Sequence, residues 1–323
     1  MATRILLPKE LKFDPSLTLE SGQVFRWSPV GNGREDWLGI VSGRLLKISK
    51  RSVVLLGEVE GGERHLPNES LDELASKFLS FGDDLDEITR SFPRDKYIGY
   101  AIQQFPGLRL LTQDPWECLV SFLCSINCNI PSIKMKIENL SSMFGKKIRT
   151  DLDVRAYSFP DAQTLARATR RELLACRLGF RWRYVSSIAR SVSEGRLDLR
   201  SLSSAQYDQA CEQLISEISG TTMGIGPKVA DCVLLFSLRK MEAFPIDVWI
   251  LRCLKENYSK LLYRAGSSGV MAGLPIHLTL SEYKRVGDNL RSYFGRYAGY
   301  AQQLLYVKRR AEGFANSALI MKN

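Results

Sequence analysis

A lysine and an aspartate in the C-terminal half have the types and surroundings for covalent catalysis. Lys228 heads an apolar run, Val229-Ala230-Asp231-Cys232-Val233-Leu234-Leu235. Apolar surroundings and the positive end of a helix both favour the neutral form of an amine. A neutral amine is a nucleophile suited to Schiff-base chemistry. Nineteen residues on, Asp247 is a lone carboxylate within Phe244-Pro245-Ile246-Asp247-Val248-Trp249-Ile250. It reads as the N-cap of a helix that begins Val248-Trp249-Ile250. It also reads as a fixed carboxylate that stabilises a developing cation, and one residue can do both.

Just ahead of the lysine, Met223-Gly224-Ile225-Gly226-Pro227 separates two helical segments. Gly224 and Gly226 let the backbone turn tightly and approach a ligand closely. Amides at the next helix start then face outward and can hold a phosphate. That is the logic of a helix-hairpin-helix, expected at about 205–240. An ordinary helix–turn–helix connection with a glycine cap explains the same pattern.

The elements that must carry these residues divide in two. Residues 1 to about 105 read as β-rich, in short runs of branched and aromatic residues, with a hairpin turn at Ser42-Gly43. From about 112 the period becomes helical. Asp114-Pro115-Trp116-Glu117 combines an N-cap, a first-turn proline and an acidic third position. That helix should stop near Asn127-Cys128-Asn129, and Pro131 opens the next. Thr169 and Glu172 form a capping box. Val185, Ile188, Ala189 and Val192 make an amphipathic stripe. Further helices are expected at about 205–218, 228–240, 248–257, 281–294 and 297–312, with a long loop at 259–277. The reading is an α+β chain: an N-terminal antiparallel β domain over 1–108, then a mostly helical region over 109–323.

Composition narrows the class of function. The 323 residues include 45 Lys+Arg against 35 Asp+Glu, a net charge of +10 that favours a polyanionic partner. With two histidines and no C-x-x-C pair, a structural zinc site or a histidine-based triad has little material. No clustered carboxylates suggest a metal-dependent nuclease, so neither metal nor cofactor is expected. The seven cysteines are odd in number and scattered, as expected of reduced thiols. No run approaches the ~20 apolar residues of a membrane span, and no signal peptide is read at the N-terminus. An intracellular monomer is expected, nuclear in a eukaryote and in cytoplasm or nucleoid in a prokaryote.

The hairpin, the lysine just past it and the aspartate nineteen residues later resemble the helix-hairpin-helix DNA glycosylases. Within them the chain is most similar to the 8-oxoguanine DNA glycosylase/lyases. The resemblance runs from Ser21-Gly22-Gln23-Val24-Phe25-Arg26-Trp27 to Tyr297-Ala298-Gly299-Tyr300-Ala301-Gln302. It implies a β domain, two helical lobes and a base pocket between the lobes. It implies a partner, duplex DNA containing 8-oxoguanine opposite cytosine. Lys228 would attack C1′ and expel the base, and Asp247 would stabilise the sugar cation. The carbonyl of Gly22 would accept from N7 of the lesion, which oxidation at C8 turns from acceptor to donor. Cys232 and Tyr306 would sandwich the base, and Gln302 would bond its Watson–Crick edge. Asn127 would fill the hole left by the extruded nucleotide. Phe180 would wedge beside the estranged cytosine, and Arg181 would read it.

The chain departs from that pattern in places. The animal members have three consecutive asparagines where this chain has Asn127-Cys128-Asn129. A second cytosine-reading arginine falls on Ser132, so the preference for opposite cytosine is expected to weaken. Trp249 replaces a histidine, Tyr306 a phenylalanine, and Pro227 a threonine. The rival readings are an endonuclease III-type glycosylase for oxidised pyrimidines and a non-catalytic helix-hairpin-helix protein. The first is disfavoured because no cysteine follows Cys253 to hold an iron–sulfur cluster. The second leaves Lys228 and Asp247 together as coincidence.

Overall fold

The computed structural model of the protein describes residues 3–31, 33–59, 69–221, 226–263 and 278–320. The N-terminal part is built on an antiparallel sheet of β1 (Arg4–Leu6), β2 (Trp27–Val30), β3 (Asp36–Val41), β4 (Arg44–Ser49) and β5 (Ser52–Val59), in the order β1-β5-β4-β3-β2. The Ser42-Gly43 turn joins β3 to β4, with Val41 opposite Arg44. Both turn residues are left-handed, at φ 49° and 75°, so the turn follows the twist of its strands. Along β3 the buried positions alternate, and Trp37 and Val41 face the core.

Residues 1 to 105 are less purely β than their composition suggests. Pro15–Leu19 is a helix (α1), followed by α2 (Leu71–Phe78), α3 (Leu85–Arg90) and α4 (Lys96–Gln104). Each is announced locally. Asp14 caps α1 ahead of Pro15, and Ser70 with Glu73 makes a capping box on α2. Asp84 and Asp95 cap α3 and α4. In these short helices the caps, not the apolar period, carry the helical signal. Leu71, Leu74 and Phe78 of α2 close the sheet's core with Trp27, Trp37 and Ile48. Trp27 and Phe78 stack with ring centroids 5.7 Å apart.

The remainder is almost wholly helical. It comprises α5 (Pro115–Cys124), α6 (Ile130–Phe144), α7 (Ala162–Arg167), α8 (Arg170–Ala175), α9 (Trp182–Ser193), α10 (Tyr207–Thr221), α11 (Pro227–Phe236), α12 (Val248–Asn257), α13 (Ser259–Tyr263), α14 (Leu280–Phe294) and α15 (Ala298–Ile320). The expected caps at Asp114 and at Thr169 with Glu172 are present. The helix expected to reach 240 ends at Phe236, because Ser237 leaves helical geometry and Arg239 is left-handed at φ 57°. Among the described residues one strand comes from this region: β6 (Ile148–Thr150) pairs with β5.

A second, larger core unites these helices with α3 and α4. Its centre is α5 and α11. Every residue from Cys118 to Cys124 and from Val229 to Phe236 is buried, as sequences apolar on all sides but for Ser121 and Asp231 require. Phe122 of α5 stacks on Phe236 of α11 at 5.6 Å. Among the described residues, no helix is long and apolar enough to cross a membrane.

Candidate active site

Packing α11 against α5 places Lys228 over the end of α5. Gly226 is the N-cap of α11 and Pro227 its first residue, so Lys228 sits in the first turn. Its Nζ lies 3.4 Å from Ser125 Oγ and 4.9 Å from the centroid of the Phe122 ring. Asp247 is the N-cap of α12, as its setting predicts. Its Oδ1 accepts from the amides of Trp249 at 2.9 Å and Ile250 at 2.8 Å. Burial pushes the Asp247 carboxyl above its ordinary value. Those amides and the charges of Lys228 and Arg310 pull the other way without cancelling the shift. The residue is thus both cap and partly buried carboxylate.

One cavity gathers these two with four more residues singled out from sequence. Gly22, Lys228, Cys232, Asp247, Gln302 and Tyr306 all line it. It encloses about 310 Å³, including the part open to solvent. Gly22 sits at φ 81°, and a Cβ there would lie 3.1 Å from the Tyr306 hydroxyl oxygen. Burial pushes both the Cys232 thiol and the Tyr306 phenol up to about 12, so both stay neutral at pH 7. Gln302 is buried and donates from Nε2 to the Pro245 carbonyl at 3.0 Å. Its Oε1 has no partner among the described residues. A buried unsatisfied acceptor costs about 1–3 kcal/mol, which a ligand bringing an N–H donor relieves. The cavity therefore offers a nucleophile, a fixed carboxylate, neutral walls and one unspent acceptor.

Of the other predicted residues, those that are described do not line this cavity. Asn127 follows α5 at φ 47° with its side chain exposed. Phe180 is half exposed, and the Arg181 guanidinium lies 4.4 Å from its ring centroid. Arg181 itself is buried. It donates to the carbonyls of Leu178 at 3.3 Å, of Asn127 at 3.0 Å and of Ile126. In this conformation its donors hold the left-handed turn at Asn127. Ser132 Oγ accepts from Lys136 Nζ at 2.6 Å, and the same ammonium lies 3.3 Å from Cys128 Sγ. Gly224 lies outside the described residues, whereas Gly226 is exposed at φ −86°.

A family model described as "8-oxoguanine DNA glycosylase, N-terminal domain" matches residues 5–119. The "Probable N-glycosylase/DNA lyase" of Methanothermobacter thermautotrophicus is 30% identical over 262 residues, covering 74% of this chain and 81% of that protein. The chain belongs to the 8-oxoguanine DNA glycosylase family. The "N-glycosylase/DNA lyase OGG1" of Arabidopsis thaliana is 29% identical over 300 residues, 90% of this chain and 76% of that protein. Among solved structures, the 8-oxoguanine glycosylase/lyase of Clostridium acetobutylicum, bound to DNA with cytosine opposite 8-oxoG, superposes with a TM-score of 0.75. It is 28% identical and covers 96% of this chain and 98% of its own.

This 8-oxoguanine DNA glycosylase family member also places residues in the site that its sequence did not single out. Gln303 donates from Nε2 to the Ser21 carbonyl at 2.8 Å, fixing the peptide ahead of Gly22. Phe122 and Phe236 floor the cavity, and Ser125 meets Lys228. The Phe122 and Phe236 signals are indistinguishable from core residues. The adjacency of Gln303 to Gln302 was the one hint available.

Proposed function

We propose that the protein is a bifunctional DNA glycosylase/AP lyase that removes 8-oxoguanine from duplex DNA, preferring cytosine opposite. One observation carries the reading. Six residues from four separate segments, among them the family's expected nucleophile and carboxylate, converge on a single cavity.

Lys228 Nζ gives up a proton, and its lone pair attacks C1′ of the extruded nucleotide. The C1′–N9 bond breaks and the base leaves with its electron pair, taking up a proton. Asp247 stabilises the positive charge that develops on the sugar, its Oδ1 held by two amides and its charge held in low dielectric. The amine on C1′ then opens the sugar to an imine. Loss of a C2′ proton breaks the C3′–O bond and expels the 3′ phosphate. Gly22, Cys232, Gln302 and Tyr306 form the base pocket. Gln302 Oε1 accepts from the base, consistent with its lack of a partner among the described residues. Asn127, Phe180 and Arg181 meet the strand opposite.

Helices α10 and α11 form the helix-hairpin-helix. Among the described residues the N-terminus of α11 receives no side-chain cap; Pro227 has no N–H and Val229 donates to the Gly226 carbonyl at 3.1 Å, which leaves the Lys228 amide in this turn suited to a DNA phosphate. We place the β domain at 1–108 and the helical glycosylase region, in two lobes, at 109–323. The sheet's own core, drawn from residues 7–79 and Leu111, supports that division, although α3 and α4 pack into the helical core. The protein acts as a monomer.

The test is covalent trapping. The protein is incubated with a duplex holding 8-oxoguanine opposite cytosine, and borohydride is added. A cross-linked complex is expected, and Lys228→Gln abolishes it. A folded protein that gives no complex refutes the lyase assignment. Preferential cleavage of thymine glycol over 8-oxoguanine would instead support the pyrimidine-specific reading.

A further inference from the structure

Behind the cavity, out of contact with it, lies a buried polar cluster that the proposed chemistry does not use. Asp231, on α11 one turn after Lys228, is completely buried. Its Oδ1 accepts from Tyr207 Oη and its Oδ2 from Tyr283 Oη, both at 2.7 Å. The two tyrosines are equally buried, but they differ in what else they hold. Arg291 donates to the Tyr207 oxygen at 2.9 Å and stacks on its ring at 4.5 Å. The Tyr283 oxygen accepts from the backbone N–H of Ile246 at 3.0 Å. Ile246 directly precedes Asp247.

This makes a relay from Ile246 N–H to Tyr283 O–H to the Asp231 carboxyl. It ties the helix that carries Lys228 to the residue before the N-cap of α12. Among the described residues, no hydrogen bond joins the ends of these two helices directly. Their separation decides how the nucleophile and the carboxylate face one carbon atom. We propose that Tyr283 is a positioning residue for the reaction, a hydroxyl bridge that sets the spacing between Lys228 and Asp247. This rests on the glycosylase reading. It goes beyond that reading because neither Tyr283 nor Asp231 touches the cavity.

The bridge explains why a costly buried carboxyl sits in an otherwise apolar helix. A buried polar group is tolerated when all its partners are met, and such networks specify one arrangement of the elements they join. Both oxygens of Asp231 are met, and one of its two partners reaches the other half of the site. Displacements of about 1 Å in a reacting geometry cost on the order of 100-fold in rate.

Tyr207 provides the control. Tyr207→Phe removes one donor from the same carboxyl and leaves the tie to Ile246 intact. Tyr283→Phe removes one donor and the tie together. The experiment measures single-turnover excision on the 8-oxoguanine:cytosine duplex and lyase rates on a preformed abasic site. Affinity for a duplex with a tetrahydrofuran abasic analogue and the final borohydride-trapped yield are measured alongside. For Tyr283→Phe, the excision rate constant should fall by about 10–100-fold. The trapped yield should stay complete and the affinity unchanged. Lyase action, which needs the amine more than the facing carboxylate, should fall less. Tyr207→Phe should keep a wild-type rate constant even if its Tm drops. An unchanged rate constant in Tyr283→Phe overturns the proposal. So does an equal fall in both variants, or a loss of yield without a loss of rate constant. If Tyr283→Phe does not fold, Asp231→Asn replaces it: it weakens the bridge at its other end and should slow excision in the same direction. A wild-type rate constant in that variant overturns the proposal equally. Failure of the wild-type protein to trap DNA would refute the glycosylase reading itself, an outcome separate from all of these.

Discussion

Replacing Asp247 by asparagine and by alanine separates its two roles. Its Oδ1 accepts from the amides of Trp249 and Ile250, so it satisfies donors that α12 would otherwise leave open. Asparagine keeps an acceptor there and caps about as well as aspartate. Its carboxyl is pushed up by burial, so ionising it at neutral pH costs the folded state stability. Asp247→Asn is therefore expected to unfold at the same temperature as wild type or higher. Asp247→Ala also loses the cap, about 1 kcal/mol, or roughly 1–2 °C in Tm for a chain of this size. Both lose the charge. A preorganised electrostatic group facing a developing charge is worth about 10²–10³ in rate, or roughly 3–4 kcal/mol. Single-turnover excision should fall by that factor in both variants, while thermal unfolding distinguishes them. An asparagine variant that excises at more than a tenth of the wild-type rate would refute the assignment of the charge to catalysis. Equal melting temperatures for the two variants would refute the cap.

Three further outcomes are expected. Excision should fail on the acid side as Asp247 takes up a proton, with a midpoint above 3.8 because its carboxyl is shifted upward; a rate profile still flat at pH 4 would contradict this. Gly22→Ala must hold φ 81° and bring a methyl 3.1 Å from the Tyr306 oxygen, so it should cost about 1 kcal/mol or more of stability and weaken 8-oxoguanine excision, read by urea unfolding and single-turnover kinetics. Gln302→Met removes both a buried oxygen without a partner among the described residues and the bond to Pro245, so its Tm should move little; excision should drop by about tenfold or more from the lost base contact, and an unchanged rate would show that Oε1 does not meet the base.

Much of this fold is written locally. The Ser42-Gly43 turn, the cap at Asp114 and the box of Thr169 with Glu172 each depend on residues within a few positions of one another. The continuous apolar runs of α5 and α11 identify them as central helices. The β-rich reading of residues 1 to 105 erred where helices were too short to show a period and were marked by their caps alone. Strand β6 was not legible. Three residues long, it exists because β5 offers an edge some ninety positions away in the chain.

The site divides along the same line. Sequence alone determined the residue types suited to chemistry and their local frames: a lysine in the first turn after the glycine-containing connection, and an aspartate that caps the helix after the lysine's own. Both follow from short-range backbone hydrogen bonding. Only the tertiary structure decided that Gly22, Gln302 and Tyr306 share one cavity with them, because burial of α5, α11 and α15 in a common core sets those distances. It also decided that Arg181 turns inward onto the Asn127 turn, that Gln303 holds the Ser21 carbonyl, and that Tyr283 links α11 to Ile246. Each of these is a polar group whose partner is far off in sequence. Such a partner is chosen by which surfaces pack together, and no local spacing records that choice.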